Sequence, residues 1–154
     1  MAEQGRQEVA GRWISTLYRC SQSHLARRLE PYGVGGGQIA FLMRLYHAEG
    51  ISQDELAASL HIDKGATARA LRRLEQNGCV ERRRDQEDGR VNRVYLTEKA
   101  RELRPTLCRI LAEWNQVLFE DFAPGQRDAA VGALRRMATN AANTLRHEKN
   151  QGVD

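Results

Sequence analysis

The chain has little that would staple it, anchor it in a membrane or equip it for catalysis. Its three cysteines, Cys20, Cys79 and Cys108, lie far apart, are odd in number and form no Cys-x-x-Cys pair. That argues against a disulfide framework and for a reducing compartment, the cytoplasm. Each thiol is expected to serve as a small buried hydrophobe. His24, His47, His61 and His147 stand alone, with no His-x-x-x-His or Cys/His spacing, so no metal site is expected. No apolar run approaches the ~20 residues that span a bilayer. The polar start, Met1 to Gln7, has no apolar stretch of signal-peptide length. The glycine run Gly33-Val34-Gly35-Gly36-Gly37 has no strand before it and no Lys-Ser/Thr after it, so it is not a phosphate loop. Neither a nucleophile elbow nor carboxylates clustered with a histidine are present. The chain is therefore not expected to be an enzyme or to carry a cofactor.

What is present is charge, unevenly placed. At 154 residues the chain is one domain by size, or a core with extensions. The net charge of +4 permits a polyanionic partner without demanding one. Arg69, Arg72, Arg73, Arg82, Arg83, Arg84, Arg90 and Arg93 fall in one short stretch, interleaved with Glu75, Glu81, Asp85, Glu87 and Asp88. Such interleaving suits the orientation of particular arginines better than diffuse attraction.

That stretch sits in the segment Ser52 to Leu96, around which the rest is organised. Ser52-Gln53-Asp54-Glu55 reads as a capping box that opens a helix. Leu56, Ala57 and Leu60 give it an apolar stripe, and His61-Ile62 breaks it. Asp63 can cap a second helix from Lys64 to about Asn77, with Thr67 or Ala70, Leu71 and Leu74 facing inward. Gly78 stands where a helix end favours a left-handed residue. Two helices separated by so few residues fit a helix-turn-helix. Cys79-Val80-Glu81-Arg82 and Arg93-Val94-Tyr95-Leu96 are short β-prone runs, and the polar segment between them makes a long hairpin loop, or wing. Thr97 can cap the next helix.

Long helices flank this segment. Glu8 to Glu30 carries Ile14, Tyr18, Ser21, Leu25 and Leu29 at helical spacing, widened by Trp13 and Leu17, and Pro31 ends it. A shorter helix from about Gly36 to Ala48 buries Ile39, Leu42, Met43 and Tyr46, and the three glycines before it are expected to loosen the junction. Glu98 to about Glu120 forms another helix, with Pro105 in its second turn. A fully interior proline would cost ~3 kcal/mol there. Pro124 suits a first helical position. Gln126 to Arg146 makes the last helix, with Val131, Leu134, Met137, Ala138, Ala141 and Leu145 on one side. Broad apolar faces at both chain ends are hard to cover within so small a monomer, so a two-fold dimer is expected.

The run Gly78-Cys79-Val80-Glu81-Arg82, the wing Asp85-Gln86-Glu87-Asp88-Gly89-Arg90, and Leu96-Thr97-Glu98-Lys99 resemble the wing signature of the MarR family. Ser52-Gln53-Asp54-Glu55-Leu56-Ala57 resembles that family's helix opening. The resemblance implies a mainly α fold with a small β-hairpin wing (α+β), a winged helix-turn-helix embedded in a helical dimerisation domain. Residues 1–34 and 98–148 would form the dimerisation region, 35–97 the DNA-binding domain and 149–154 a frayed tail. The function implied is a dimeric transcriptional regulator, a repressor, reading a pseudo-palindrome in double-stranded DNA. Lys64 and Arg69 are placed to meet phosphates or guanine edges, Ala66 and Thr67 a thymine methyl, with Arg73 a turn later. Ser52 and Gln53 are placed to meet phosphate. Arg90 is assigned to the minor groove. Asp85 and Asp88 would hold Arg90, Arg84 or a helix arginine by salt bridges, and Arg84 is counted among the DNA contacts. Gly65 and Ala66 stand where the family usually has Ser or Thr, which removes hydroxyl donors.

The resemblance further implies release by a small aromatic acid or an oxidant. Tyr18, His24, Arg28, Tyr32, Tyr46 and His47 are the aromatic and cationic residues near such a junction. Cys20 lies in the first helix, as sensing thiols do, but out of register with them. The competing reading is a winged-helix protein-interaction module without an operator.

Overall fold

A computed structural model describes residues 9–151. Helix α1 (Val9–Leu29) ends in a 3-10 turn, Glu30–Tyr32, and a second 3-10 turn, Gly36–Gln38, runs into α2 (Ile39–His47). Then come β1 (Ile51–Ser52), α3 (Gln53–Leu60), α4 (Lys64–Gln76), β2 (Val80–Arg84) and β3 (Asn92–Leu96). Two long helices follow, α5 (Glu98–Leu118) and α6 (Pro124–Gln151). The chain divides into two compact units, one ending at Trp114 and the other beginning at Asn115.

Local chemistry sets the ends of the central helices. Ser52 Oγ accepts the Glu55 amide at 3.1 Å, and the Ser52 amide donates to the Glu55 carboxylate at 2.7 Å. This reciprocal box opens α3. His61, in the left-handed region with φ 54°, closes it. Asp63 Oδ1 accepts the Ala66 amide at 2.7 Å and opens α4. At its far end the Cys79 amide reaches Leu74 O and the Gly78 amide reaches Glu75 O. Gly78 itself sits at φ 70°, the geometry of a Schellman stop, which a side chain would strain.

The sheet has three strands, not the two expected. Its order is β1-β3-β2, all antiparallel, with β3 in the middle. Strand β1 is only two residues long, Ile51 opposite Val94 and Ser52 opposite Arg93, too short to show a period in the sequence. The hairpin pairs Val80 with Leu96 through to Arg84 with Asn92.

One apolar core joins these elements. Leu56, Leu71, Leu74 and Val94 are wholly buried with Leu42 and Leu45 of α2. Leu25 and Leu29 of α1, and Ala100, Leu103, Leu107 and Ile110 of α5, belong to the same cluster. Residues 34 and 98 are therefore not borders of the core, because the winged segment closes only with parts of both flanking helices.

Other local expectations change as well. The glycine junction is a close approach: a Cβ on Gly36 would overlap the Gln22 side chain and lie 3.2 Å from the Gln22 carbonyl oxygen. The Gly35 amide donates to Gln38 Oε1 at 3.1 Å, so the turn is tied down. Pro105 sits within an unbroken α5, at an exposed position. Helix α6 runs on to Gln151, so residues 149–151 of the expected frayed tail are helical. Residues 152–154, and the polar start Met1 to Gln7, lie outside the described residues. Among the described residues no helix is long and apolar enough to cross a membrane.

In the first unit Trp13, Ile14, Leu17 and Tyr18 of α1 stay 43–64% exposed. In the second, Val117, Phe122, Val131, Leu134, Met137 and Leu145 stay 39–55% exposed. These are large apolar groups that their own unit leaves uncovered.

Thr67 is fully buried on α4, and its hydroxyl has no hydrogen-bond partner among the described residues. An unpaired buried hydroxyl costs on the order of 1–3 kcal/mol. Thr67→Val is expected to raise unfolding stability by about 1 kcal/mol. Urea unfolding checks this, and a loss of stability would contradict it.

Candidate nucleic-acid interface

Helix α4 presents two faces. Thr67, Leu71 and Leu74, at i, i+4 and i+7, point into the core. Lys64, Gly65, Arg69, Arg72 and Arg73 are exposed, and Ala66 is half-buried beside them. Thr67 therefore cannot touch DNA, which corrects its assignment to a thymine methyl. The sequence already held the signal, since Thr67 shares the row of Leu71 and Leu74. Arg72, omitted from the expected contacts, stands one turn on from Arg69 on the exposed side.

Among the described residues the cationic face has few internal partners. Lys64 Nζ is 2.8 Å from Asp54 Oδ2, but both side chains are well exposed, so the pair is weak and easily exchanged for a phosphate. Gly65 leaves room at the helix start: a Cβ there would come within 3.4 Å of Arg69 Nη1. The residue that removes a hydroxyl donor thus also lets Arg69 lie close to the first turn.

The wing brings further expected residues together. Arg90, at its exposed tip, borders a recess of about 190 Å³ with Ser52, Gln53, Asp54, Val91 and Asn92. The amino end of α3 and the base of the wing tip thus share one surface. Arg84 ends β2 opposite Asn92 and is exposed. The Arg82 guanidinium donates to Glu75 Oε2 at 2.6 and 3.1 Å, binding β2 to the end of α4 and holding the Glu75 carboxyl below the usual range.

The two wing aspartates do not act as expected. Asp85 pairs with Arg93 on β3, not with Arg84, Arg90 or a helix arginine. Its Oδ1 also accepts the amides of Glu87 at 2.8 Å and Asp88 at 3.0 Å. The Asp88 amide, the Arg93 side chain and the Glu87 amide together lower the Asp85 carboxyl to about 2. Asp88 accepts the backbone amide of Arg90 at 3.0 Å, so it shapes the turn, and among the described residues the Arg90 guanidinium meets no carboxylate. Sequence reasoning missed Arg93 because strand pairing, not spacing, places it beside the loop.

The six aromatic and cationic ligand candidates do not converge. Tyr18 is 64% exposed on α1. His24 stacks on Trp114 at 4.4 Å, and Arg28 donates to Glu113 at 2.6 Å. Tyr32 borders a cleft of about 420 Å³ with Pro31, Asn77, Lys99 and Leu103. Tyr46 and His47 border a different cleft with Arg101 and Arg104. The Tyr46 hydroxyl donates to Ala100 O at 2.7 Å, and burial is the main cause that pushes it up to about 12. Of the cysteines only Cys79 is buried; Cys20 and Cys108 are exposed, contrary to expectation. Among the described residues no group of His, Cys, Asp or Glu could hold a metal ion.

A capped helix pair with one cationic face, followed by an arginine-tipped hairpin, defines a winged-helix protein of the DNA-binding class. Comparison with known proteins makes the class specific. The sequence profile of the MarR family matches residues 37–91. The chain is 44% identical to a MarR transcriptional regulator from Methanosarcina mazei Go1, covering 89% of this chain and 99% of that one, with a TM-score of 0.84. It is 32% identical over 111 residues to the HTH-type transcriptional regulator YdgJ of Bacillus subtilis, covering 72% of this chain and 68% of that one. A MarR family regulator from Listeria monocytogenes, solved in complex with a 26mer DNA, is 25% identical, with coverage of 90% and 93% and a TM-score of 0.82. The chain belongs to the MarR family of transcriptional regulators, which are not enzymes.

Because the Asp85 carboxyl is lowered in the folded wing, its contribution is complete above the ordinary aspartate value, near 4. It is lost as pH falls from there to about 2. A carboxyl NMR titration of Asp85 should show a midpoint of about 2. A midpoint near 4 would mean the amides and Arg93 do not hold it.

Proposed function

We propose that the protein is a homodimeric repressor that binds a pseudo-palindromic operator in cytoplasmic double-stranded DNA. In this reading α4 enters the major groove with Lys64, Ala66, Arg69 and Arg73 forward, and Arg72 joins them. Ser52 and Gln53 meet the backbone, and Arg84 and Arg90 flank the contact through the wing. The observation that carries it is the shared surface of Ser52, Gln53 and Arg90 beside an α4 face whose arginines are exposed. The Listeria relative is solved in complex with a 26mer DNA, which supports reading this chain as a DNA binder.

A dimer supplies cover for Trp13, Ile14 and Leu17 and for the α6 row Val131, Leu134 and Met137, all more exposed than a monomer favours. It also repeats α4 one DNA turn away, ~34 Å. Release by a small aromatic acid is consistent with the cleft beside Tyr32, where the Lys99 ammonium could meet a carboxylate. Release by an oxidant would act through the exposed thiol of Cys20.

The test is selection of bound fragments from random DNA, followed by titration of a selected duplex. Arg90→Ala should leave the dimer mass unchanged by light scattering and weaken binding by about 1–3 kcal/mol. Arg69→Ala should lower the salt slope by about one. Unchanged affinity for the first variant, or an unaltered slope for the second, removes that residue from the interface. Retention on DNA that ignores salt would favour the protein-interaction alternative.

A further inference from the structure

Arg93 occupies the central strand at the point where the wing leaves the sheet. It lies opposite Ser52 on β1 and opposite Arg83 on β2. Its guanidinium has two anchors. Nε pairs with the Asp85 carboxylate, and Nη1 donates to the carbonyl of Gly50 at 2.8 Å. Gly50 precedes β1, so this second anchor is the entrance to the helix-turn-helix. The carboxylate at the first anchor also gathers the amides of Glu87 and Asp88. The Asp85 amide donates to Val91 O, and the Val91 amide to Asp88 O, each at 2.9 Å. The turn that carries Arg90 is thus built on Asp85, and Asp85 is tied through one guanidinium to the start of the helix pair.

We propose that Arg93 is a positioning residue for DNA binding, clamping the Asp85-organised wing turn to the Gly50 carbonyl so that Arg90 stands at a set displacement from α4. The proposal rests on the preceding assignment of Arg90 to DNA. Arg93 is half-buried and Asp85 is 12% exposed, so the clamp is partly shielded from water and salt. Its bidentate reach explains the residue type. A lysine is a point charge on a flexible stem and cannot span both partners in one plane. Without the clamp the strands stay paired to β1 and to each other, and Arg82 still holds Glu75, but no side chain among the described residues ties the wing turn to the helix pair, and a tip reaching beyond the sheet can swing. An arginine that must find a narrow groove then loses its alignment while the α4 contacts persist.

The experiment is a double-mutant cycle on one duplex selected from random DNA by the unaltered protein. Arg93→Gln, Arg90→Ala and the double variant are compared by fluorescence anisotropy, with thermal melts to check folding. Arg93→Gln should weaken binding about tenfold when Arg90 is present and have little further effect when it is alanine, as coupled residues do. Equal losses in both backgrounds, or no loss in either, overturn the positioning role while leaving the assignment of Arg90 intact. An Arg90→Ala variant that binds normally overturns both readings. Should Arg93→Gln fail to fold, Asp85→Asn removes the charge from the other end of the clamp with little change of shape. The same non-additivity with Arg90→Ala is then expected, and additivity would sink the proposal.

Discussion

Helix α4 must bury one row of side chains and expose the opposite one, and the rest of the first unit exists to make that possible. Leu71 and Leu74 are sealed against α2, α3, the sheet and parts of α1 and α5. Burying a leucine contributes on the order of 1.5–3 kcal/mol. The charged row gains nothing comparable from folding, so its orientation follows from the apolar row alone. Thr67 belongs to the sealed side despite its hydroxyl, and the helix tolerates an unpaired polar atom there.

The arginines divide into those that are held and those that are free. Arg82, Arg83, Arg93 and Arg101 each meet a carboxylate, of Glu75, Glu81, Asp85 and Glu49 respectively. Arg83 also lies 4.7 Å above the Tyr95 ring. These four sit on the strands and at the start of α5, where they brace the sheet, while Arg28 and Arg109 are held farther off by Glu113. Arg69, Arg72, Arg73, Arg84 and Arg90 have no such carboxylate among the described residues, and all are exposed. Surface pairs contribute little to stability, so bracing here is a matter of geometry more than of energy. The acidic residues interleaved in the sequence thus neutralise some arginines and leave others available for a polyanion.

Much of the architecture was legible because it rests on short-range chemistry. Ser52 with Glu55, Asp63 before Lys64, and Gly78 after Asn77 mark helix ends through interactions spanning a few residues. The β-prone runs around Val80 and Val94, with a polar segment between them, mark the hairpin. The ligand candidates were not legible in the same way. Residues such as Tyr18, Tyr32 and Tyr46 share a composition but not a place, and composition carries no distance.

Local sequence was enough to set the helices and the hairpin, the ends of α3 and α4, and the concentration of arginine on one helix and one loop. Periodicity and capping act within a turn or two of the chain. Only the tertiary structure decided that Asp85 takes Arg93, that β1 adds a third strand, that Thr67 is sealed and Arg72 is not, and that the core extends into both flanking helices. Those outcomes depend on strand register and on contacts between residues distant in sequence, such as Gly50 with Arg93, which no local pattern encodes.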